Sequence, residues 1–204
     1  MQRDFIKAYY KIKIERKFKL QLGGMGRMMD YKKAAAHWKE KDAEGMKMDK
    51  EPLLAAMRKY IMANNTCSLA TGIGEFIRCT PIEYAYYEDA FWLFSEGGEK
   101  FIGLEQNKNV CLAIYDKYSG FSCLKGMQVT GVAELIDPHS EIYYKVAAYK
   151  KLPVESLKKM VMPMYLIKVI PKKIEFLNAD FKKQGFNNRQ TLVFGSSHTC
   201  SVNA

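Results

Sequence analysis

A hydroxyl, two side-chain-free positions and an ammonium fall within six residues of one another in Ser95-Glu-Gly-Gly-Glu-Lys100, inside the stretch FSEGGEKFIGLEQNKNV of residues 94–110. The Ser95 hydroxyl, the N–H groups of Gly97 and Gly98 and the Lys100 charge can all donate to one anion held in a turn. The competing reading is structural: a strand-to-helix connection also asks for glycines where the chain bends. The choice between them depends on what surrounds the turn.

The other residue types that carry chemistry are scattered. Cys67, Cys79, Cys111, Cys123 and Cys200 are odd in number and widely spaced, with no C-x-x-C pair and no nearby histidine ligand pattern. Buried free thiols in a reducing compartment account for four of them. His37, His139 and His198 stand apart from one another, which argues against a zinc site and a histidine-based triad.

The elements that must position the turn follow from periodicity. MDKEPLLAAMRKYIMANN predicts a helix, with Asp49 as cap, Pro52 in the first turn, Leu53, Leu54, Met57, Tyr60 and Ile61 on one face, and Asn64 and Asn65 as the stop. The period then changes to two. NTCSLAT, EFIRCTPIEYAYY, AFWLFS, NVCLAIYD and GMQVTGVAELID predict successive strands, interrupted by a short helix over 99–107 and the loop KYSGFSCLK. Pro138 opens helical stretches to about residue 150 and near 154–160, and MYLIKVIPKKIEFLN predicts a long last strand. Six antiparallel strands with a helix over one opening predict a small barrel.

A chain of 204 residues with 48% hydrophobic and 13% aromatic content suits one folded domain with appendages. The formal charge of +10 is lopsided: residues 1–27 hold eight Lys/Arg against Asp4 and Glu15, or +6 of the total. Partnership with nucleic acid is therefore not expected of the domain. Nor is membrane insertion, because no apolar run reaches the length of a span and the N-terminus alternates apolar with charged residues. A soluble, cytoplasmic protein is expected. Residues 1–27 read as a basic extension, with Met28 or Met29 as an alternative start; a basic amphipathic arm is the competing reading. Residues 28–63 read as a helical prelude, 64–194 as the barrel domain and 195–204 as a disordered tail.

The order of motifs along the barrel carries a resemblance. Arg78-Cys-Thr-Pro-Ile-Glu on the second strand, Phe94-Ser95 ending the third, Lys100 opening the helix, Asn107 before the fourth strand and GMQVTGVAE on the fifth resemble the pyridoxamine 5′-phosphate oxidase-like family of FMN-binding split barrels. The likeness covers roughly residues 50–180. It implies a mainly β fold with helices, a six-stranded antiparallel split barrel behind an N-terminal helical extension. It also implies a homodimer with FMN at the subunit interface.

The resemblance implies roles that the side chains can fill. Arg78 as a bidentate fork, Lys100 as a point charge and Ser95 as a hydroxyl donor would hold the FMN phosphate. Backbone groups of Cys79, Thr80, Pro81, Ile82 and Glu83 would meet the polar flavin edge, Pro81 keeping that part of the strand out of ordinary ladder pairing. Phe94 ends the strand that delivers the turn, and Gln128 would donate to the flavin, from the neighbouring subunit in one arrangement. No catalytic residue is identified, and Cys79 reads as a small strand residue.

The departures from the family pattern narrow the function. Glu99 stands where the vitamin B6 oxidases carry an Arg before the Lys, Glu83 stands at their substrate-contacting lysine, and the only tryptophans are Trp38 and Trp92. Vitamin B6 oxidation is disfavoured. The nitroimidazole-reductase branch is more similar in length and helical prelude, but its strand histidine has no counterpart near Phe94–Gly98. The expectation is an FMN-dependent oxidoreductase passing electrons to a small-molecule acceptor, with NAD(P)H as candidate donor. The alternative is a flavin- or haem-binding stress or storage protein without turnover.

Overall fold

The computed structural model describes residues 30–195. The 1–27 extension and residues 196–204 of the expected tail lie outside the described residues. The chain divides into two compact units between Glu44 and Gly45. The first contains helix α1 (Tyr31–Ala43), whose N-cap Asp30 accepts the Lys33 N–H at 3.0 Å.

The second unit opens with α2 (Lys50–Ala63), so this part of the helical prelude belongs with the barrel. Its Leu53, Met57, Tyr60 and Ile61 recur at helical spacing and are buried in the barrel core. Asp49 occupies the N-cap position through its carbonyl, which accepts the Leu53 N–H, while its side chain makes no capping bond. Asn64 ends the helix by donating its side-chain amide to the Tyr60 carbonyl at 3.0 Å.

Eight strands follow: β1 (Thr66–Ile73), β2 (Phe76–Glu83), β3 (Ala85–Tyr87), β4 (Ala90–Ser95), β5 (Asn109–Tyr115), β6 (Lys125–Ile136), β7 (Tyr165–Asn178) and β8 (Arg189–Val193). Helix α3 (Lys100–Gln106) joins β4 to β5. Helices α4 (Glu141–Tyr149) and α5 (Val154–Lys158) lie between β6 and β7, and α6 (Asp180–Lys183) precedes β8. The antiparallel sheet runs β2-β1-β5-β6-β7-β4-β3, and β8 adds to the far half of β7. It curls into a split barrel.

There are eight strands rather than the six expected, for two separate reasons. Strand β8 (Arg189–Val193) adds to β7, and EFIRCTPIEYAYY is two strands at opposite edges of the sheet, β2 on β1 and β3 on β4. Tyr84 is the corner between them. It is 4% exposed, its N–H donates to the Asn65 carbonyl at 2.7 Å, and its hydroxyl donates to the Ile61 carbonyl at 2.7 Å. A buried, doubly anchored tyrosine breaks the alternation and carries the chain from one edge to the other.

Strand β4 is apolar on both faces, and the first residues of β7 beside it share both surroundings. Phe91, Leu93, Ile167 and Val169 face the barrel core with α2, while Ala90, Trp92 and Leu166 pack on Tyr143, Val146 and Ala147 of α4. Such continuous apolar runs mark strands covered on both sides. Among the described residues no helix is long and apolar enough to cross a membrane.

Candidate functional site

The Ser95–Lys100 turn joins the end of β4 to α3, and its geometry follows from its glycines. Gly97 and Gly98 have φ of 135° and 106°, a region that L side chains rarely adopt. This bend returns the chain over itself. The Ser95 hydroxyl donates to the Gly97 carbonyl at 3.1 Å and accepts the Gly97 N–H at 3.2 Å, and the Lys100 ammonium donates to that same carbonyl. The two side-chain donors thus converge on one oxygen atom. A phosphate oxygen would have to take these two donors over from the Gly97 carbonyl.

Both donors are buried, Ser95 at 6% and Lys100 at 6% exposure. Among the described residues no carboxylate lies within ion-pairing distance of Lys100; its other neighbour is the Phe101 ring, 5.2 Å away. Burial pulls the Lys100 ammonium below the usual lysine range. A desolvated cation without a counter-charge is costly unless something anionic completes it.

Helix α3 is held close to the sheet that carries Arg78. A Cβ added at Gly103 would lie 2.9 Å from the Gly72 N and 3.3 Å from the Thr71 Cβ, so only glycine allows this approach. Asn107 donates its side-chain amide to the Gly72 carbonyl at 2.9 Å. Arg78 lies opposite Thr71 in the β1–β2 register, and its guanidinium meets Glu99 at 3.0 Å. Arg78, Glu99, Ser95 and Lys100 are therefore neighbours around one turn. Sequence reasoning gave no role to Gly103 or Thr71. A glycine inside an otherwise helical FIGLE was the available signal for Gly103; the buried Thr71 hydroxyl, without a hydrogen-bond partner, had none.

The remaining predicted residues of β2 and β4 differ in their surroundings. Thr80 and Ile82 are half-buried; Ile82 packs on the barrel core. Phe94 packs edge-on against Tyr143 at 5.3 Å, which makes it part of the α4 core. Cys79 and Pro81 are exposed, on the face shared with Ala70 and Ser68. Glu83 ends β2 paired at 3.1 Å with Lys150, whose side chain is 9% exposed, so its charge is compensated from within the chain.

Two expectations are corrected. The β1–β2 ladder runs through Pro81, opposite Ser68, without a break in register; β2 is an edge strand, where a missing donor is tolerated. Of the four described cysteines only Cys67 is buried, while Cys79 and Cys123 are exposed and Cys111 is intermediate. The thiols of β2 and β5 fall on the outward side of the strand alternation. Cys200 lies outside the described residues.

Gln128 does not join the turn. It lies on β6, three strand intervals from β2 across β1 and β5, about 14 Å at the usual inter-strand spacing. It shares an outer-face row with Pro81, Ser68, Ala113 and Glu175. Among the described residues no group of three His, Cys, Asp or Glu side chains is placed to hold a metal ion.

Comparison with known proteins agrees with this architecture. Residues 53–178 match the family described as pyridoxamine 5′-phosphate oxidase. No curated protein matches the chain. Among solved structures, Campylobacter jejuni ChuZ is similar with a TM-score of 0.55 at 14% identity, over 72% of this chain and 61% of that one. A FAD-binding protein from Mesorhizobium loti aligns with a TM-score of 0.50 at 18% identity, over 59% of this chain and 89% of its own. A heme binding protein from Mycobacterium smegmatis aligns with a TM-score of 0.50 at 16% identity, over 68% and 57%. At these identities the likeness is one of fold.

Proposed function

The chain belongs to the pyridoxamine 5′-phosphate oxidase family, and from that premise we propose that it is an FMN-dependent oxidoreductase acting on a small-molecule acceptor. The observation that carries the proposal is Lys100: a buried ammonium with no carboxylate partner among the described residues, whose hydrogen bond, like that of Ser95, goes to the neutral Gly97 carbonyl. A phosphate monoester supplies the charge that this cation lacks. Arg78, half-exposed beside the turn, adds a second cation. Edge strand β2 offers unpaired backbone groups along its free side to the polar rim of a ring system. When bound, the flavin would supply reversible hydride and electron transfer, which no side chain of the turn provides.

The protein's part is to bind and orient. Lys100, Arg78 and Ser95 anchor the phosphate end, and β2 aligns the flat end. The outer sheet face around Ala113, Cys79 and Ile77 would meet a second copy of the chain, whose Gln128 would approach the flavin; Ile77 is 75% exposed on that face. NADH or NADPH is the proposed reductant.

A second reading is a flavin-holding module without turnover, and one observation favours it. The side chains around the turn are already engaged: the Lys100 ammonium and the Ser95 hydroxyl donate to the Gly97 carbonyl, and Arg78 is paired with Glu99. The M. loti and M. smegmatis relatives, which bind FAD and heme, show that this fold serves ligand binding of more than one kind. Calorimetry with FMN and riboflavin tests the site. A desolvated charge-assisted contact contributes about 1.5–3 kcal/mol, so FMN should bind at least tenfold more tightly; equal affinities would overturn the phosphate anchor. Anaerobic reduction by NAD(P)H followed by an acceptor screen tests the activity. Turnover no faster than that of free FMN would leave the module reading.

A further inference from the structure

The Ser95–Lys100 turn is closed on itself. Its outer peptides are anchored to the chain: the Gly97 N–H donates to the Ser95 hydroxyl at 3.2 Å, and the Gly98 carbonyl accepts the Phe101 N–H at 3.2 Å. Among the described residues, the peptide between them is held through its carbonyl by side chains, the Ser95 hydroxyl and the Lys100 ammonium. A trans peptide points its N–H opposite to its carbonyl, so the Gly98 N–H faces away from Ser95 and Lys100. Neither glycine N–H is therefore available where those two donors meet.

The Gly97 carbonyl is a neutral occupant of a place that suits an anion. A buried ammonium needs an acceptor, and an anionic oxygen is a stronger one than an amide carbonyl. For that exchange the carbonyl has to leave. The glycines allow it, because turning the peptide plane alters only ψ of Gly97 and φ of Gly98. Gly97 keeps its φ of 135°. A half turn carries the Gly98 φ from 106° to about −74°, which is open to any residue.

Resting on the phosphate reading of this turn, we propose that the Gly97–Gly98 peptide turns over when the phosphate enters and makes the Gly98 N–H a third donor to it. The Ser95 hydroxyl, the Lys100 ammonium and the Gly98 N–H then converge on one anion, where before two donors met one carbonyl. The bonds of the flanking peptides, Gly97 N–H to Ser95 and Phe101 N–H to Gly98, are kept, so α3 stays in place. Without an anion the flip would take from the buried Lys100 ammonium the acceptor it has. The closed form is therefore the resting one, and binding requires its opening.

The two glycines are thus unequal: Gly97 needs its positive φ in both forms, Gly98 only in the closed one. A Cβ at Gly98 would also lie 3.4 Å from the Lys100 Nζ in the closed form. Gly98→Ala should therefore bind FMN about tenfold more tightly than the parent, since strain placed on the closed form raises the fraction competent to bind. Its riboflavin affinity should match the parent's, and Gly97→Ala should bind FMN more weakly. Calorimetry of the full chain with both ligands reads these differences. In the parent, the NMR N–Cα couplings across the Gly97–Gly98 peptide, which follow ψ of Gly97, should change on adding FMN and not on adding riboflavin. A parent that prefers FMN, with no gain in Gly98→Ala or with couplings that FMN leaves unchanged, would overturn the flip and leave the phosphate anchor standing. Equal affinities of the parent for FMN and riboflavin would overturn the anchor and the flip with it. Should Gly98→Ala fail to fold, the couplings of the parent decide.

Discussion

Arg78 on β2 meets Glu99 at 3.0 Å, immediately before the buried Lys100. The guanidinium nearest the turn is therefore occupied by a carboxylate that the proposed phosphate would have to displace. Glu99→Gln is expected to free it. Both side chains are about half exposed, and exposed pairs are worth only about 0.2–1 kcal/mol, so FMN affinity should rise severalfold rather than by orders of magnitude. Riboflavin affinity should not change. Parallel titrations of the variant check this, and weaker FMN binding would show that Glu99 supports the site.

Lys100→Met separates function from stability. The ammonium is buried without a counter-charge, so its removal should raise the melting temperature of the ligand-free protein while lowering FMN affinity at least tenfold. The pH dependence has a definite sign. Burial depresses the Lys100 pKa in the folded state, so the unfolded chain holds this proton more tightly. The contribution to stability therefore rises with pH between the depressed value and the ordinary lysine pKa. FMN affinity should fall over the same alkaline window, because the neutral amine no longer pairs with phosphate. Melting curves and titrations at rising pH on parent and Lys100→Met show whether these opposed trends belong to this residue.

What was legible beforehand follows from local chemistry. The β4–α3 turn was readable because its glycines, hydroxyl and ammonium are contiguous, and α2 because Leu53, Met57, Tyr60 and Ile61 keep one helical face. The corner at Tyr84 was not, since its anchors, Asn65 and Ile61, lie about twenty residues earlier. The pairing of Glu83 with Lys150 was hidden for the same reason. It lowers the weight of Glu83 as a free charge among the departures that the family resemblance set against vitamin B6 oxidation. Gln128 was legible as an outward polar residue, but its three-strand separation from Arg78 is a property of sheet order.

Gly103→Ala should damage the site without touching a ligand. The added methyl would meet Gly72 backbone at 2.9 Å, which cannot rotate away as a side chain would. Overpacking of this kind costs about 1–3 kcal/mol. Helix α3 must move off β1, and the Arg78–Glu99–Lys100 arrangement moves with it. A lower melting temperature together with weaker FMN binding is expected; a stable variant with parent-like affinity would show that α3 tolerates displacement.

Thiol labelling in a Cys200→Ser background tests the fold and the proposed dimer together. Cys67 is buried in the core and its thiol is pushed up to about 12, so it should react only on unfolding. Cys123, exposed beside α6, should react at once. Cys79 is exposed in the single chain but lies on the outer sheet face, where a second copy would cover it. Its labelling should be slow at concentrations where light scattering reports a dimer and fast after Ala113→Arg, which places a charge on the same face. Cys123 serves as the internal control, since its rate should not change. Rapid Cys79 labelling in a dimer of undiminished mass would move the subunit interface to another face of the barrel.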